Sequence, residues 1–491
     1  MSKPSSSPPR SWRPAGLFCL GLMLTGCWKV GPDYEQPQVT TPKNWRFASQ
    51  EVRDVTNLEW WRLLNDPVLN RLIDEAVLNN LDLKIAVAKV EEFMGRYGST
   101  RANLFPQIFG NGLYERRLIS GAESGTVNDL PFSDRDHAIL GGELTWELDV
   151  WGQLRRAKEA ANADLFAQVA ARDAVVLTVA SLVAQTYVNL RSYDLTLEAT
   201  HGIIDTLNEE CRIAKTRLDN GYTSELEYTQ ALSELERRKA LVPVFEQQIA
   251  EAEHAISLLL GKNPGPIPRG RTLGELITPA VPAGLPSDLL RRRPDIQQAE
   301  QTLVSATARI GVAKGEYFPK VRLTSMGGQA AQDLDQMFTP GANFWSVGLQ
   351  LIGPIITAGK IEGQVQAAEA LQRSALANYQ RAILTAFRDF ENALVARQKS
   401  LDRQHAQQAR VDSVKQYVRL SRLQFDEGYA PYLVVLDSLR QLYDAEIDLI
   451  LARNDTFVAA IQLYRAMGGG WVLNAQRKAN TPQPREASFF P

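Results

Sequence analysis

Apolar residues recur at every seventh position from Val169 onward: Val169, Val176, Val183, Leu190, Leu197, Ile204, Cys211 and Leu218 form an unbroken series. Between Gly152 and Leu218 no proline occurs and Gly202 is the only glycine. The pattern predicts one helix of ~100 Å at ~1.5 Å per residue, longer than any ordinary globular domain. A strict sevenfold repeat keeps a narrow stripe toward partner helices as they supercoil, so the stretch predicts a coiled-coil seam.

The same stretch occurs twice. An offset of 207 carries Gly152 to Gly359, Leu218 to Phe425, Gly221-Tyr222 to Gly428-Tyr429 and Gly261 to Gly468. Upstream, an offset of 213 carries Asp82 to Asp295, Gly98 to Gly311 and Phe105-Pro106 to Phe318-Pro319. A duplicated rod points to a tube or scaffold before it points to an enzyme. In the second copy the sevenfold positions are Leu376, Ile383, Phe390, Arg397, Gln404, Val411, Val418 and Phe425, so Arg397 and Gln404 interrupt the stripe. Loosened packing near the linker and local contact with water in a bore both account for the pair.

Shorter elements follow from local signals. Asp66-Pro67 starts a helix over 67–103 that Phe105-Pro106 ends. Residues 107–115 and 137–149 are strands flanking a Gly-, Ser- and Asp-rich loop, and 320–327 and 343–352 take their places in the second copy. The second strand alternates, with Ala138, Leu140, Gly142, Leu144, Trp146 and Leu148 on one face and His137, Glu143, Thr145, Glu147 and Asp149 on the other. Apolar outside and acidic inside is the pattern of a lipid-facing barrel strand around a watery lumen. The first strand alternates poorly. After the turn at Asp219-Asn220-Gly221, a return helix runs from Ser224 to Leu260, with Ser224 and Glu227 at capping-box spacing and Pro243 a kink.

Four strands cannot close a barrel, and an open sheet edge in lipid leaves backbone groups unpaired. The chain therefore has to oligomerise. A dimer supplies eight strands, whose interior side chains fill; a trimer supplies twelve, enough to leave a bore. Conduction prefers the trimer, and on that ground the expected fold is mainly α with a membrane β-barrel: strand pairs and long helical hairpins in duplicate, a trimer forming a 12-stranded barrel that the long helices continue as an α-helical barrel.

The N-terminus reads as a secretory leader. Lys3, Arg10 and Arg13 precede an apolar core from Ala15 to Leu24, too short to span a bilayer. It ends in Leu24-Thr25-Gly26-Cys27, which resembles a bacterial lipobox; the resemblance implies cleavage before Cys27 and its acylation, with several acyl chains giving firm anchoring. Trp28, not Asp, follows, which favours the outer membrane. The mature chain then carries 51 Lys plus Arg against 56 Asp plus Glu, so nucleic-acid binding has no electrostatic support. Cys211, alone on the heptad stripe, reads as core.

Residues 27–65 form an extended segment after the 1–26 leader. Within it Gly31-Pro32-Asp33-Tyr34 and Pro37 follow Cys27, and Trp60-Trp61 precede Asn65-Asp66-Pro67. Farther on come Leu285-Pro286-Ser287-Asp288-Leu289-Leu290, Arg293-Pro294-Asp295-Ile296, Ala299-Glu300, Ile310-Gly311 and Phe318-Pro319. This ordered set resembles the lipoprotein branch of the outer-membrane efflux proteins, the TolC-like exit ducts of tripartite resistance-nodulation-division type pumps. Domains are expected at 66–261 and 289–468 for the two repeats, with a linker at 262–288 containing six prolines and a tail at 469–491.

The resemblance implies a homotrimer in the outer membrane that extends into the periplasm. Its partners are a periplasmic adaptor protein and an inner-membrane transporter. The adaptor meets the helix tips, Gly221-Tyr222-Thr223 and Gly428-Tyr429-Ala430, and the tube closes at a ring of Leu433 and Asp437. Three leucines make a dewetting constriction and three aspartates a cation-attracting ring. Some ducts of this kind carry an arginine latch where this chain has Ala430, so Glu227 lacks that partner. The four histidines are dispersed, and neither CxxC, HExxH nor a phosphate-cradling glycine loop occurs. The expectation is thus no enzyme, no metal and no cofactor besides lipid on Cys27. Alternatives are a duct for an ATP-driven secretion system and a non-conducting envelope lipoprotein.

Overall fold

The computed structural model describes residues 29–39, 59–120, 132–277 and 292–468; the leader, Cys27, the motif at 285–290 and the tail lie outside the described residues. Asp66 caps helix α1 (Pro67–Asn79) by accepting the N–H groups of Val68 at 2.8 Å and Leu69 at 3.3 Å. The single helix expected over 67–103 is two. Asn80 leaves the helical conformation at ψ 133°, and its side-chain oxygen accepts the Leu83 N–H at 3.0 Å to start α2 (Leu81–Ala102). The cap wins over helix continuation because the Asn80 amide also donates to the Leu259 carbonyl at 2.9 Å.

Helix α3 (Gln153–Asp219) is one 67-residue helix, as its heptads predict. The return arm expected from Ser224 to Leu260 is instead α4 (Glu225–Lys239) and α5 (Val242–Leu259). Pro243 lies in the first turn of α5: without an N–H, and with its ring against the carbonyl four residues back, it cannot sit inside one helix. The expected capping box is not made either. The Ser224 side chain caps nothing, and the Glu227 carboxylate accepts the Thr223 hydroxyl. Helix α6 (Pro294–Gly315) opens the second copy, α7 (Lys360–Asp426) repeats the 67 residues of α3, and the proline-free α8 (Tyr432–Ala466) returns unbroken.

Strands β1 (Gln107–Ser120), β2 (Phe132–Leu148), β3 (Lys320–Ala331) and β4 (Asn343–Ile352) form one antiparallel sheet in that order. The first three outrun the spans read from side-chain alternation, because backbone pairing continues past them to Ser120↔Phe132 and Ala138↔Ala331. Register places Ile108, Leu144, Ser325 and Val347 in one row, on the face that also carries Trp146, Leu323, Leu349 and Trp345. Trp345 is 82% exposed and Leu349 70%, an apolar face that the chain itself leaves uncovered. Glu147, Arg322 and Gln350 share a row on the opposite face, and Arg322 pairs with Glu147 at 3.7 Å. Phe109 and Leu113 of β1 lie on that opposite face, which accounts for the strand's poor alternation.

The chain divides into two compact units. One comprises Met1–Gln36, Phe93–Leu165 and Thr302–Leu376. There the buried Arg156 donates to the carbonyls of Val30 at 3.0 Å and Gly31 at 2.9 Å and pairs with Asp33 at 2.8 Å. Gly31, at φ +91°, lies so close to Gly311 that a side chain on either would collide with backbone. The other unit comprises Pro37–Glu92, Phe166–Gln301 and Ala377–Pro491. Its core joins Trp60, Trp61 and Leu64 to Val176, Val183 and Leu190 of α3 and to Ile461 and Tyr464 of α8, and the linker adds Leu273 and Leu276. In α7 Ile383, Phe390 and Val411 are buried, whereas Arg397 and Gln404 are half-buried. Burial lowers the Arg397 pKa, and its electrostatic neighbour is Tyr464, which stacks on Trp60 at 5.5 Å.

Candidate functional site

The two interhelical turns have the same construction. Gly221 at φ +73° and Gly428 at φ +78° take the left-handed conformation that a helix end requires, where glycine carries no steric penalty. The next N–H then reaches back over the last turn, Tyr222 to the Arg217 carbonyl and Tyr429 to that of Gln424, each at 2.8 Å. Both tyrosine rings are thereby thrust outward, 78% and 84% exposed. Thr223 is held by Glu227; Ala430 is half-buried and donates its N–H to the Gln424 carbonyl at 3.2 Å.

Behind the turns, Ile204, Leu207 and Cys211 of α3, Ala231 and Leu235 of α4, and Tyr432, Val435, Leu436 and Leu439 of α8 form one core. Phe425 meets Tyr432 edge-on at 5.6 Å and carries the Arg217 guanidinium at 4.9 Å on its ring. Leu433 is outside this core and 48% exposed. Asp437 follows one turn later on the same side of α8, half-buried, accepting from Gln441 Nε2 at 2.8 Å and the Tyr417 hydroxyl at 3.4 Å.

Periodicity did not reveal the charges woven through this end of the molecule. Arg422 pairs with Glu210 at 2.8 Å, and burial nonetheless raises the Glu210 pKa against the pull of Arg422. Glu234 and Arg238, both buried, pair at 2.7 Å, an i,i+4 spacing visible in sequence. Arg440 pairs with the other Glu234 oxygen at 2.7 Å, and Arg238 with Asp444 at 3.2 Å; these partners lie more than 200 residues away and leave no sequence signal. Among the described residues no group of three or more His, Cys, Asp or Glu is placed to hold a metal ion.

The family model for outer membrane efflux proteins matches residues 72–262 and 285–469. The chain is 34% identical over 470 residues to a solvent efflux pump outer membrane protein, SrpC, of Pseudomonas putida, covering 93% of this chain and 98% of that one. It is 31% identical over 462 residues to the cation efflux system protein CusC of Escherichia coli K12, covering 92% and 98%. Among solved structures, the outer-membrane channel OprN superposes with a TM-score of 0.85 at 27% identity, over 90% of this chain and 99% of that one. Channels of this family are trimers that work with adaptor and inner-membrane pump partners, and their fold is the barrel with helical continuation expected above. A match over both repeats, on a fold built of these strand pairs and helical hairpins, means that the chain belongs to the outer membrane efflux protein family: it is the outer-membrane exit duct of an efflux pump, neither an enzyme nor the carrier of a cofactor.

Proposed function

We propose that this duct conducts small toxic compounds passively outward, is anchored by lipid on Cys27, and is gated by Leu433 and Asp437. The two structural repeats, 66–261 and 289–468, supply the strands and hairpins, and 262–288 joins them. A periplasmic adaptor docks on the exposed turns at Gly221-Tyr222-Thr223 and Gly428-Tyr429-Ala430. An inner-membrane transporter supplies the energy and most of the choice of substrate. The solvent and cation pumps named for its relatives point to organic solutes or metal cations as cargo.

The observation that carries the gate is the position of Leu433. The apolar side of α8 is already spent on the core through Tyr432, Val435, Leu436 and Leu439, yet Leu433 stays exposed with a carboxylate one turn away. Threefold symmetry around a bore would convert that pair into an apolar ring stacked on an anionic one. Planar-bilayer conductance tests this with the purified trimer against a Leu433→Ala, Asp437→Ala double variant. Small or flickering currents that become large and steady in the variant support pore and gate together. Silence from both, with the trimer verifiably inserted, overturns the reading and favours a non-conducting envelope lipoprotein.

A further inference from the structure

We propose that the base of the sheet carries a transit site for small amphipathic zwitterions, with Arg322 and Glu147 receiving the opposite charges of one solute molecule. The inference deepens the duct reading above and rests on it, since it takes the polar face of the sheet as the wall of the bore.

Where strands give way to helices, a cavity of about 300 Å3 lies between the polar face of β1, β2 and β3, the residues just past α2, the start of α3 and the last turn of α6. All of these elements belong to one compact unit. Phe105, Leu154 and Val312 give the cavity an apolar wall, and Glu147, Lys320 and Arg322 give it charge. Alternation along β3 puts Lys320 on the face of Arg322, away from the face of Trp345 and Leu349. The volume is at the lower end of small-molecule sites, ~300–1,000 Å3, and apolar walls with a few placed polar groups are their usual lining.

The charges are unevenly engaged. Lys320 donates to Glu316 at 3.3 Å, and Gln153 donates to the same oxygen at 2.5 Å, so that lysine has its partner outside the lining. Arg322 and Glu147 are directly opposed across the β2–β3 ladder, which fixes their spacing. They stand 3.7 Å apart, beyond hydrogen-bond reach, and among the described residues neither side chain makes a hydrogen bond. The guanidinium thus keeps its N–H donors and the carboxylate its acceptors for a third party. An α-ammonium carboxylate carries its own opposite charges on neighbouring atoms. It can lie head-to-tail along the pair, carboxylate on Arg322 and ammonium on Glu147, with its apolar body against Phe105, Leu154 and Val312. A lone anion has to face Glu147 and a lone cation has to face Arg322, so the site discriminates by mismatch. A partly exposed pair contributes little to the fold, and turning it toward a solute costs correspondingly little. Contacts of this kind are weak, which suits a pore that has to release what it takes.

L-tryptophan, tryptamine and indole-3-propionate share one ring system and differ in charge: zwitterion, cation and anion. Isothermal titration calorimetry of the full-length trimer in nanodiscs, with empty nanodiscs as the blank, should give one L-tryptophan per chain, with a Kd on the order of 1 mM. Both relatives should bind several-fold more weakly. Glu147→Gln should abolish the preference over indole-3-propionate, and Arg322→Gln the preference over tryptamine, a crossed pattern that a purely structural pair would not produce. The heat-modifiable trimer band and melting temperature report folding separately. In planar bilayers, L-tryptophan should lower the mean current through the Leu433→Ala, Asp437→Ala duct, and adding Arg322→Gln should relieve the block. Equal affinity for the three probes, no binding to a folded trimer, or preferences that both variants leave unchanged overturns the proposal. The two readings fail separately: current through the gate variant without L-tryptophan binding keeps the duct and removes the site, whereas saturable binding with no current in any form removes the duct and with it the transit role.

Discussion

Tyr187 donates its hydroxyl hydrogen to Oδ2 of the fully buried Asp66 at 2.8 Å, tying α3 to the residue that starts α1. The same hydroxyl accepts the Gly270 N–H at 2.8 Å, and the Arg271 N–H reaches Asp66 Oδ2 at 3.0 Å, so the inter-repeat linker closes on the pair. Gly270 is needed there, because a side chain would collide with the Asp66 carboxylate. Burial, and next the Asp66 carboxylate, hold the Tyr187 hydroxyl well above its usual pKa, so it stays a donor at any working pH.

Tyr187→Phe should therefore destabilise the fold by about 1–3 kcal/mol, the range for leaving buried polar groups unsatisfied. The change keeps the ring and removes one donor to Asp66 and the acceptor of the Gly270 N–H. Differential scanning calorimetry of the trimer reads it directly. A melting temperature equal to wild type would mean that water replaces the hydroxyl and that the clasp contributes nothing net.

Arg156 makes a second prediction, at the other unit. It is the cation on which the 29–36 segment closes, through two carbonyls and Asp33. Arg156→Met keeps much of the volume but strands those acceptors, and should free the segment locally. Chymotryptic cleavage after Tyr34 should accelerate at least several-fold, while far-UV circular dichroism stays unchanged. An unaltered cleavage rate would assign the docking to the Gly31–Gly311 approach instead.

The parts of this fold that were legible in sequence are those written in many residues at once. Eight heptad positions in a row specify α3, and the 207-residue offset transfers that reading to α7 with little further evidence. Breaks set by one residue were misread. Asn79-Asn80 offers favoured capping residues, but whether the second ends one helix and caps another depends on the Leu259 carbonyl lying beside it. Pro243 announces a disturbance, but whether it bends a helix or begins one depends on the backbone before it. Tip glycines were legible because positive φ restricts the residue type. The Glu210–Arg422 and Glu234–Arg440 contacts were not, since surface-like charges on separate repeats carry no mutual spacing.

Glu210 gives a pH dependence with a definite sign. Burial, the largest influence, raises its pKa above 4.5 although Arg422 pairs with it at 2.8 Å. A carboxyl whose folded pKa exceeds its unfolded one binds its proton more tightly when folded. It thus adds stability as pH falls through the folded value and withdraws it as pH rises. In the window between 4.5 and the raised value, wild type should lose stability with rising pH relative to Glu210→Gln, and at pH 7 the variant should be at least as stable. Melting curves across that window decide it; a wild type that gains on the variant as pH rises would show Arg422 outweighing burial.

The tip tyrosines separate docking from folding. Tyr222 and Tyr429 are held out by the glycine turns behind them, so neither ring belongs to the core under the tips. Removing such exposed rings should change stability by no more than about 0.5 kcal/mol. If they anchor an adaptor hairpin, however, losing both should cost about 2 kcal/mol or more of binding, as buried interface aromatics do. That is roughly a 30-fold weaker Kd at about 1.4 kcal/mol per tenfold. Surface plasmon resonance of the Tyr222→Ala, Tyr429→Ala trimer on an immobilised adaptor hairpin measures the loss, with the melting temperature as its control. Gly428→Ala supplies the contrast: it strains a turn at φ +78°, so it should lower both affinity and stability together. Wild-type affinity in the double tyrosine variant would move the adaptor site off the tips and onto the helix flanks.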